Sequence, residues 1–176
     1  PIRVRTTNFL GGYTEVDSQL DWAGKVLKTV TKHKYNSNSA VLTTTENFTY
    51  SPQDKLVLHK HKINTGSEEL LSKNNYDELG QLIRKEVGGQ DFTGSASYQK
   101  VDYRYNIRGW LMEINDIEDL ATDGDMFAFK INYNKGDLPL YNGNISETLW
   151  RSGDNVLRKY EYIYDNLNRL LDANYS

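Results

Sequence analysis

Two histidines set two residues apart are the first candidates for chemistry. "LHKHK" puts His59 and His61 on the same side of an extended segment, a spacing that suits a metal ion. A zinc-type site needs further ligands at about 2 Å, and the chain offers no cysteine and no nearby third histidine. Two polar side chains on a solvated strand face explain the pair more simply. A second candidate is "NDIEDLATDGD", where Asp116, Glu118, Asp119, Asp123 and Asp125 fall close together. Calcium takes six to eight oxygen ligands and this run holds several, but it lacks EF-hand spacing and reads as a solvated acidic loop. Asn144-Ile-Ser146 is a formal glycosylation acceptor, explained equally well by a turn-forming asparagine. Trp22, Trp110 and Trp150 have the chemistry of a sugar platform. Trp22 and Trp110 fall beside turn signals, however, and read as packing over hairpin ends. No Ser-His-Asp set, phosphate-cradling loop or paired acid and base emerges. The expectation is a protein without catalytic, cofactor or metal residues.

Composition narrows the class further. Hydrophobic residues make up 38% of the 176, and 13 residues are tyrosine, so tyrosine must supply much of the buried area. That suits half-buried strands, where the ring packs and the hydroxyl finds a polar partner. Net charge is -3 and the 21 lysines and arginines are dispersed, which gives no nucleic-acid or anionic-membrane footprint. No run approaches the roughly 18 apolar residues of a membrane span. Without cysteine there are no disulfides and no Cys nucleophile. The opening "PIRVR" and the closing "ANYS" read as cuts within a longer polypeptide.

The elements that carry these residues repeat. The frame is aromatic, Asp/Asn, two free residues, Gly, one free residue, apolar. "YDELGQL" (Tyr76, Asp77, Gly80, Leu82) and "YNIRGWL" (Tyr105, Asn106, Gly109, Leu111) fit it fully. "YDNLNRL" (Tyr164, Asp165, Asn168, Leu170) carries asparagine in the glycine place. "LDWAGKV" starts on Leu20, and "YSPQDKL" starts on Tyr50 with Ser51 and Asp54. "YNKGDL" (Tyr133, Gly136) is one residue short. The starts at 20, 50, 76, 105, 133 and 164 are spaced by 30, 26, 29, 28 and 31 residues, a near-constant period.

The second place holds Asp, Ser or Asn, whose short side chains accept backbone hydrogen bonds at the head of a type I turn. The fifth holds Gly, Asp or Asn, which tolerate a left-handed backbone. A type I turn followed by a left-handed residue joins two strands with a bulge. Each copy is therefore expected to be a β-hairpin with the tyrosine ending its first strand. Period-two patterning precedes the turns: Val101, Tyr103 and Tyr105; Phe127, Phe129, Ile131 and Tyr133; Tyr160, Tyr162 and Tyr164; Phe48 and Tyr50. Stacked hairpins would align these rings into cross-strand ladders. "EELLSKNNYDELGQLI" carries some helical spacing, but the Asn74-Asn75 pair, Gly80 and the repeat frame claim it as a hairpin. The fold class expected is all-β, consecutive hairpins stacked into a continuous sheet.

At this point the chain resembles the YD-repeat, or RHS-repeat, family, in the form found in Bacteroidota. "YDELGQLI", "VDYRYNIRGWL" and "YIYDNLNRLLDANYS" carry the Tyr-Asp-x-x-Gly-Arg-Leu mark, and "YNGNIS" followed by Trp150 resembles a recurring element of that branch. The likeness covers nearly the whole chain, most strongly from Asn64 onward; Leu20, Ser51, Asp54 and the short unit at Tyr133 depart from it. The resemblance implies a spiral of hairpins forming a hollow shell, in a large secreted or cell-surface protein, with type IX secretion as the export route. It also implies that the shell encloses or presents the polypeptide's own C-terminal segment, commonly a toxin. The family's self-cleaving core motif is not visible, so no cleavage residue is carried over.

Two functions follow as expectations. In the first, residues 1–176 are one segment of such a shell, and its partners are neighbouring repeats, C-terminal cargo, secretion machinery or another surface protein. In the second, exposed aromatic strips make a surface adhesion or glycan-binding module.

Overall fold

The computed structural model describes residues 2–121 and 124–176. Among them the chain is all-β and contains no helix. The strands are β1 (Ile2–Thr7), β2 (Gly11–Leu20), β3 (Val26–Asn36), β4 (Leu42–Tyr50), β5 (Leu56–Ile63), β6 (Glu69–Tyr76), β7 (Leu82–Val87), β8 (Gln99–Tyr105), β9 (Leu111–Ile114), β10 (Phe127–Asn132), β11 (Glu147–Ser152), β12 (Arg158–Tyr164) and β13 (Leu170–Tyr175). Their hydrogen-bonded order follows the chain from β1 to β13, which leaves those two as end strands. The "EELLSKNNYDELGQLI" stretch is strand, turn and strand (β6 and β7), because the Asp77 turn closes across it. The chain divides into two compact units, Pro1–Asn75 with Lys85–Tyr98 and Tyr76–Arg84 with Gln99–Ser176.

In the first unit β1 to β6 form an antiparallel meander. One apolar face was expected, yet the burial is largely polar. Among the described residues of this unit Leu70 is the fully covered aliphatic, at 1% exposure, while Glu15, Ser72 and Glu86 are buried as well. Each buried carboxylate has partners on adjacent strands, as desolvation demands. Glu15 meets Arg5 (3.4 Å) and Lys32 (3.8 Å), and Glu86 accepts from Asn75 (3.0 Å). Half-buried Glu46 accepts from Thr29 (3.0 Å), and Glu68 from Asn47 (2.6 Å) and Lys60 (2.7 Å). Cross-strand polar pairs thus do part of what packed aliphatics do in a thicker domain.

In the second unit a small apolar cluster of Ile117, Leu120 and Ala128 forms, with Leu149 packed on it. Ile117 and Leu120 come from the β9–β10 connection, expected to be a solvated acidic loop. Asp116, Glu118, Asp119 and Asp125 do stay near the surface, but the aliphatics turn inward. Asp116 Oδ1 accepts from the Glu118 amide (2.9 Å), and Asp119 Oδ1 from the Ala121 amide (3.0 Å). Asp123 lies outside the described residues. In β10 the apolar face is the less buried one. Ala128 and Asn132 are buried, whereas Phe127 is 43% exposed. The alternation is real; the small Ala128 is covered by the loop cluster on the opposite face. Further along, Trp150, Tyr160 and Tyr175 form a cross-strand aromatic ladder over β11, β12 and β13, with ring centroids 5.3–6.0 Å apart.

Candidate functional site: the repeat turn and its tyrosine clamp

The frame residues come together as one turn, built five times. At Asp21, Ser51, Asp77, Asn106 and Asp165 the same set of bonds forms. The residue's amide donates to the carbonyl four residues on, and its own carbonyl accepts from the amide three residues on. Its side-chain oxygen accepts from the amides two and four residues ahead. For Asp77 these are Leu79 (2.9 Å) and Gln81 (2.8 Å); for Asn106, Arg108 (2.9 Å) and Trp110 (3.0 Å); for Asp165, Leu167 (2.8 Å) and Arg169 (2.9 Å). Asp21 does the same at 2.8 Å twice, and Ser51, with a shorter arm, at 3.2 and 3.3 Å. The glycine place is left-handed in every copy: Gly24 at φ 89°, Asp54 at 63°, Gly80 at 77°, Gly109 at 77°, Gly136 at 88° and Asn168 at 60°. A one-residue register shift precedes Leu20, Tyr50, Tyr105 and Tyr164, and sets each opposite Val26, Leu56, Leu111 and Leu170 respectively. This is the bulge that a type I turn plus a left-handed residue requires.

The tyrosine ring ends the first strand and its hydroxyl reaches backward along the chain. Tyr50 donates to the carbonyl of Val26 (2.9 Å), Tyr105 to Leu82 (3.0 Å), Tyr133 to Leu111 (3.1 Å) and Tyr164 to Ile145 (3.1 Å). Val26, Leu82 and Leu111 hold the apolar place of the preceding frame. The first residue of one copy is thus tied to the last residue of the copy before it. A phenylalanine would fill the same space and leave the carbonyl without this donor. Burial pushes the Tyr105, Tyr133 and Tyr164 hydroxyls above the ordinary tyrosine range. Backbone amides hold the Asp21 and Asp165 carboxyls below theirs, through Lys25 and Arg169 first. Tyr103 and Tyr162 stand one alternation earlier on the clamp face; the Tyr162 hydroxyl meets Thr148 Oγ1 at 3.0 Å.

The unit at Tyr133 departs from the frame. Its strands β10 and β11 pair, but residues 133–146 replace the tight turn. Leu138, which the short frame puts in the apolar place, is 53% exposed. Ile145, from "YNGNIS", presents the clamped carbonyl instead. In this connection Asn144 is a turn residue, its amide bonded to Asn142 Oδ1 (3.0 Å). Ser146 is 2% exposed, and its Oγ is 2.9 Å and 2.8 Å from the Asn132 and Lys135 carbonyls, which gives the hydroxyl a structural role in this connection.

Sequence reasoning missed a further turn of the same kind. Asn8 Oδ1 accepts from Leu10 (3.0 Å) and Gly12 (2.8 Å), with Gly11 at φ 73° and Thr7 in the tyrosine place. "TNFLGGY" carries the signal, but it lies off the period. Asn64 and Asn115 were missed too. Each is left-handed (φ 49° and 56°) and exchanges bonds with an adjacent strand, Asn64 with Thr43 and Asn115 with Asp102. Both follow isoleucine at the end of a second strand, in "KIN" and "EIN".

The other candidates resolve individually. His59 meets Glu46 (3.1 Å) and stacks on Phe48, and His61 meets Glu69 (3.5 Å); each has its own carboxylate. Trp22 is 98% exposed at a turn tip, Trp110 lies 5.2 Å from Tyr133, and Trp150 belongs to the β11–β13 ladder. Asp137, Glu147 and Glu161 bring carboxylate oxygens within 4.8 Å of one another. Lys159 Nζ sits among them, 2.9, 3.9 and 2.7 Å away, so a cation from the chain itself already sits at the group and offsets part of its charge. A cleft of about 240 Å³ opens beside Trp110, lined also by Asn106, Ile107, Arg108, Tyr133 and Tyr141. Comparison with protein-family profiles and with curated proteins returns no match to the chain.

Proposed function

We propose that this chain is a structural segment of a YD/RHS-type shell, secreted or displayed at the cell surface, which encloses or presents a C-terminal, toxin-bearing part of its own polypeptide. The observation that carries the reading is the clamp: four tyrosine hydroxyls on carbonyls of the preceding copy, at 2.9–3.1 Å. Such a bond uses the chain's chemistry to hold repeat to repeat, and consecutive antiparallel pairing gives each hairpin a neighbour. In this role the residues pack and pair, and catalysis falls to whatever the shell carries. The test is limited proteolysis of the full-length polypeptide, wild type beside a Gly109→Val, Tyr105→Asp double variant. Protection of the C-terminal segment in the wild type and its loss in the variant is the expected result. Equal cleavage, with the variant shell shown to be opened, sinks enclosure. A second reading, surface recognition of glycan, is favoured by one observation: an open cleft walled by Trp110, Tyr133 and a Tyr141 that is 79% exposed.

A further inference from the structure

Arg108 differs from the other arginines. The guanidiniums of Arg3, Arg5, Arg84, Arg104, Arg158 and Arg169 each meet a carboxylate, and that of Arg151 meets the carbonyl of Asn155. Among the described residues, Arg108 is the arginine whose side chain has no hydrogen-bond acceptor; its guanidinium lies 5.1 Å over the Trp110 ring. Stacking on an aromatic face holds the planar fork while its N–H edge stays free for an anion.

The cleft below supplies the rest of a site. Its lining of Asn106, Ile107, Arg108, Trp110, Tyr133, Asn134, Leu140, Tyr141 and Gly143 contains one cation and no carboxylate. Its roughly 240 Å³ suits one hexose-sized ring. Tyr141 offers a ring face to the apolar side of a sugar, and the side-chain amides of Asn106 and Asn134 offer donors to hydroxyls. Gly143 keeps the wall close: a Cβ there would come 3.0 Å from the Trp110 ring. An extended peptide fits less well. The Asn106 amide already donates to the Trp110 carbonyl, the Trp110 amide to Asn106 Oδ1, and the Leu140 amide to the Tyr133 carbonyl.

We infer that this cleft binds a carboxylate-bearing pyranose, a uronic-acid-type residue of an acidic glycan, with Arg108 forked on the carboxylate and Tyr141 against the ring. This rests on the second reading above and narrows it to acidic sugars. Arginine and carboxylate match in planar two-bond geometry, and the missing acid in the lining removes the repulsion such a ligand would meet.

The test titrates the full chain with methyl β-glucuronide, with methyl β-glucoside as its neutral counterpart and with acetate alone. Saturation-transfer NMR and tryptophan fluorescence report binding. Saturable glucuronide binding is expected, with the glucoside at least about tenfold weaker. Arg108→Ala should lose about tenfold or more for the glucuronide only, Arg108→Lys less, and Tyr141→Ala should weaken both sugars. Both positions are exposed, and circular dichroism checks that the variants fold. Equal binding of the two sugars, or an unaffected Arg108→Ala, overturns the acidic specificity while leaving the glycan reading standing. Binding of neither sugar overturns both. Acetate competing as well as the glucuronide reduces the site to a simple anion contact and overturns the proposal.

Discussion

At the residue scale the frame works through two places, the left-handed fifth and the clamped first. Gly109 sits at φ 77°, a region that excludes β-branched side chains. Gly109→Val should cost more than the ~1 kcal/mol of an average substitution. Gly109→Asn should cost clearly less, because Asn168 occupies the equivalent place at φ 60°. Thermal melts of the two variants decide; a neutral valine would mean the turn is built differently. The clamp has its own test. Tyr105→Phe keeps the ring and removes the bond to the Leu82 carbonyl, which should cost about 1 kcal/mol. Tyr141→Phe, at a 79% exposed ring, is the control and should leave the melting temperature unchanged.

At the element scale the turn and the clamp titrate in opposite directions. Folded Tyr105, Tyr133 and Tyr164 hold their protons above the ordinary range because their hydroxyls are buried. The folded hairpins therefore bind more protons than the unfolded chain once pH exceeds about 10, and stability present below that pH is lost as it rises. Asp21 and Asp165 are depressed by backbone amides, so their contribution is present above about pH 4 and lost as pH falls. Melting temperature against pH should show a neutral plateau with both shoulders. Replacing Tyr105, Tyr133 and Tyr164 by phenylalanine should flatten the alkaline one; an unchanged alkaline slope would show that the clamps do not set it. Asn106→Ala removes two side-chain bonds from one turn at once and should destabilise by about 1–2 kcal/mol in denaturant titration.

At the scale of the whole molecule the two end strands matter most. Every residue of β13 is exposed, Leu170, Leu171 and Tyr175 by 56–64%, and every residue of β1 is exposed as well. Open strand edges with apolar side chains recruit other chains. The isolated chain should self-associate in light scattering, and Leu171→Lys, which adds a charge to β13, should reduce that association without altering the β spectrum. A monodisperse wild type would show that the edges are already blunted. The same exposure supplies what an array of repeats needs, a strand on which a further hairpin can pair.

What the sequence determined by itself is whatever is settled within a few residues. The Asp/Ser/Asn and Gly/Asp/Asn places specify the turn because all its bonds lie within five positions, and their recurrence shows a period of about 29. Strand ends at Leu20, Tyr50, Tyr76, Tyr105 and Tyr164 were legible for the same reason. The tertiary structure decided everything that joins residues farther apart. It gave the tyrosine hydroxyls their acceptors 19–24 residues back in the chain. It also buried Ile117 and Leu120 out of an acidic loop, replaced Leu138 by Ile145, and set Lys159 among three carboxylates. Periodicity records which way a side chain points. Which neighbour waits there depends on strand register, and register emerges only when the hairpins stack.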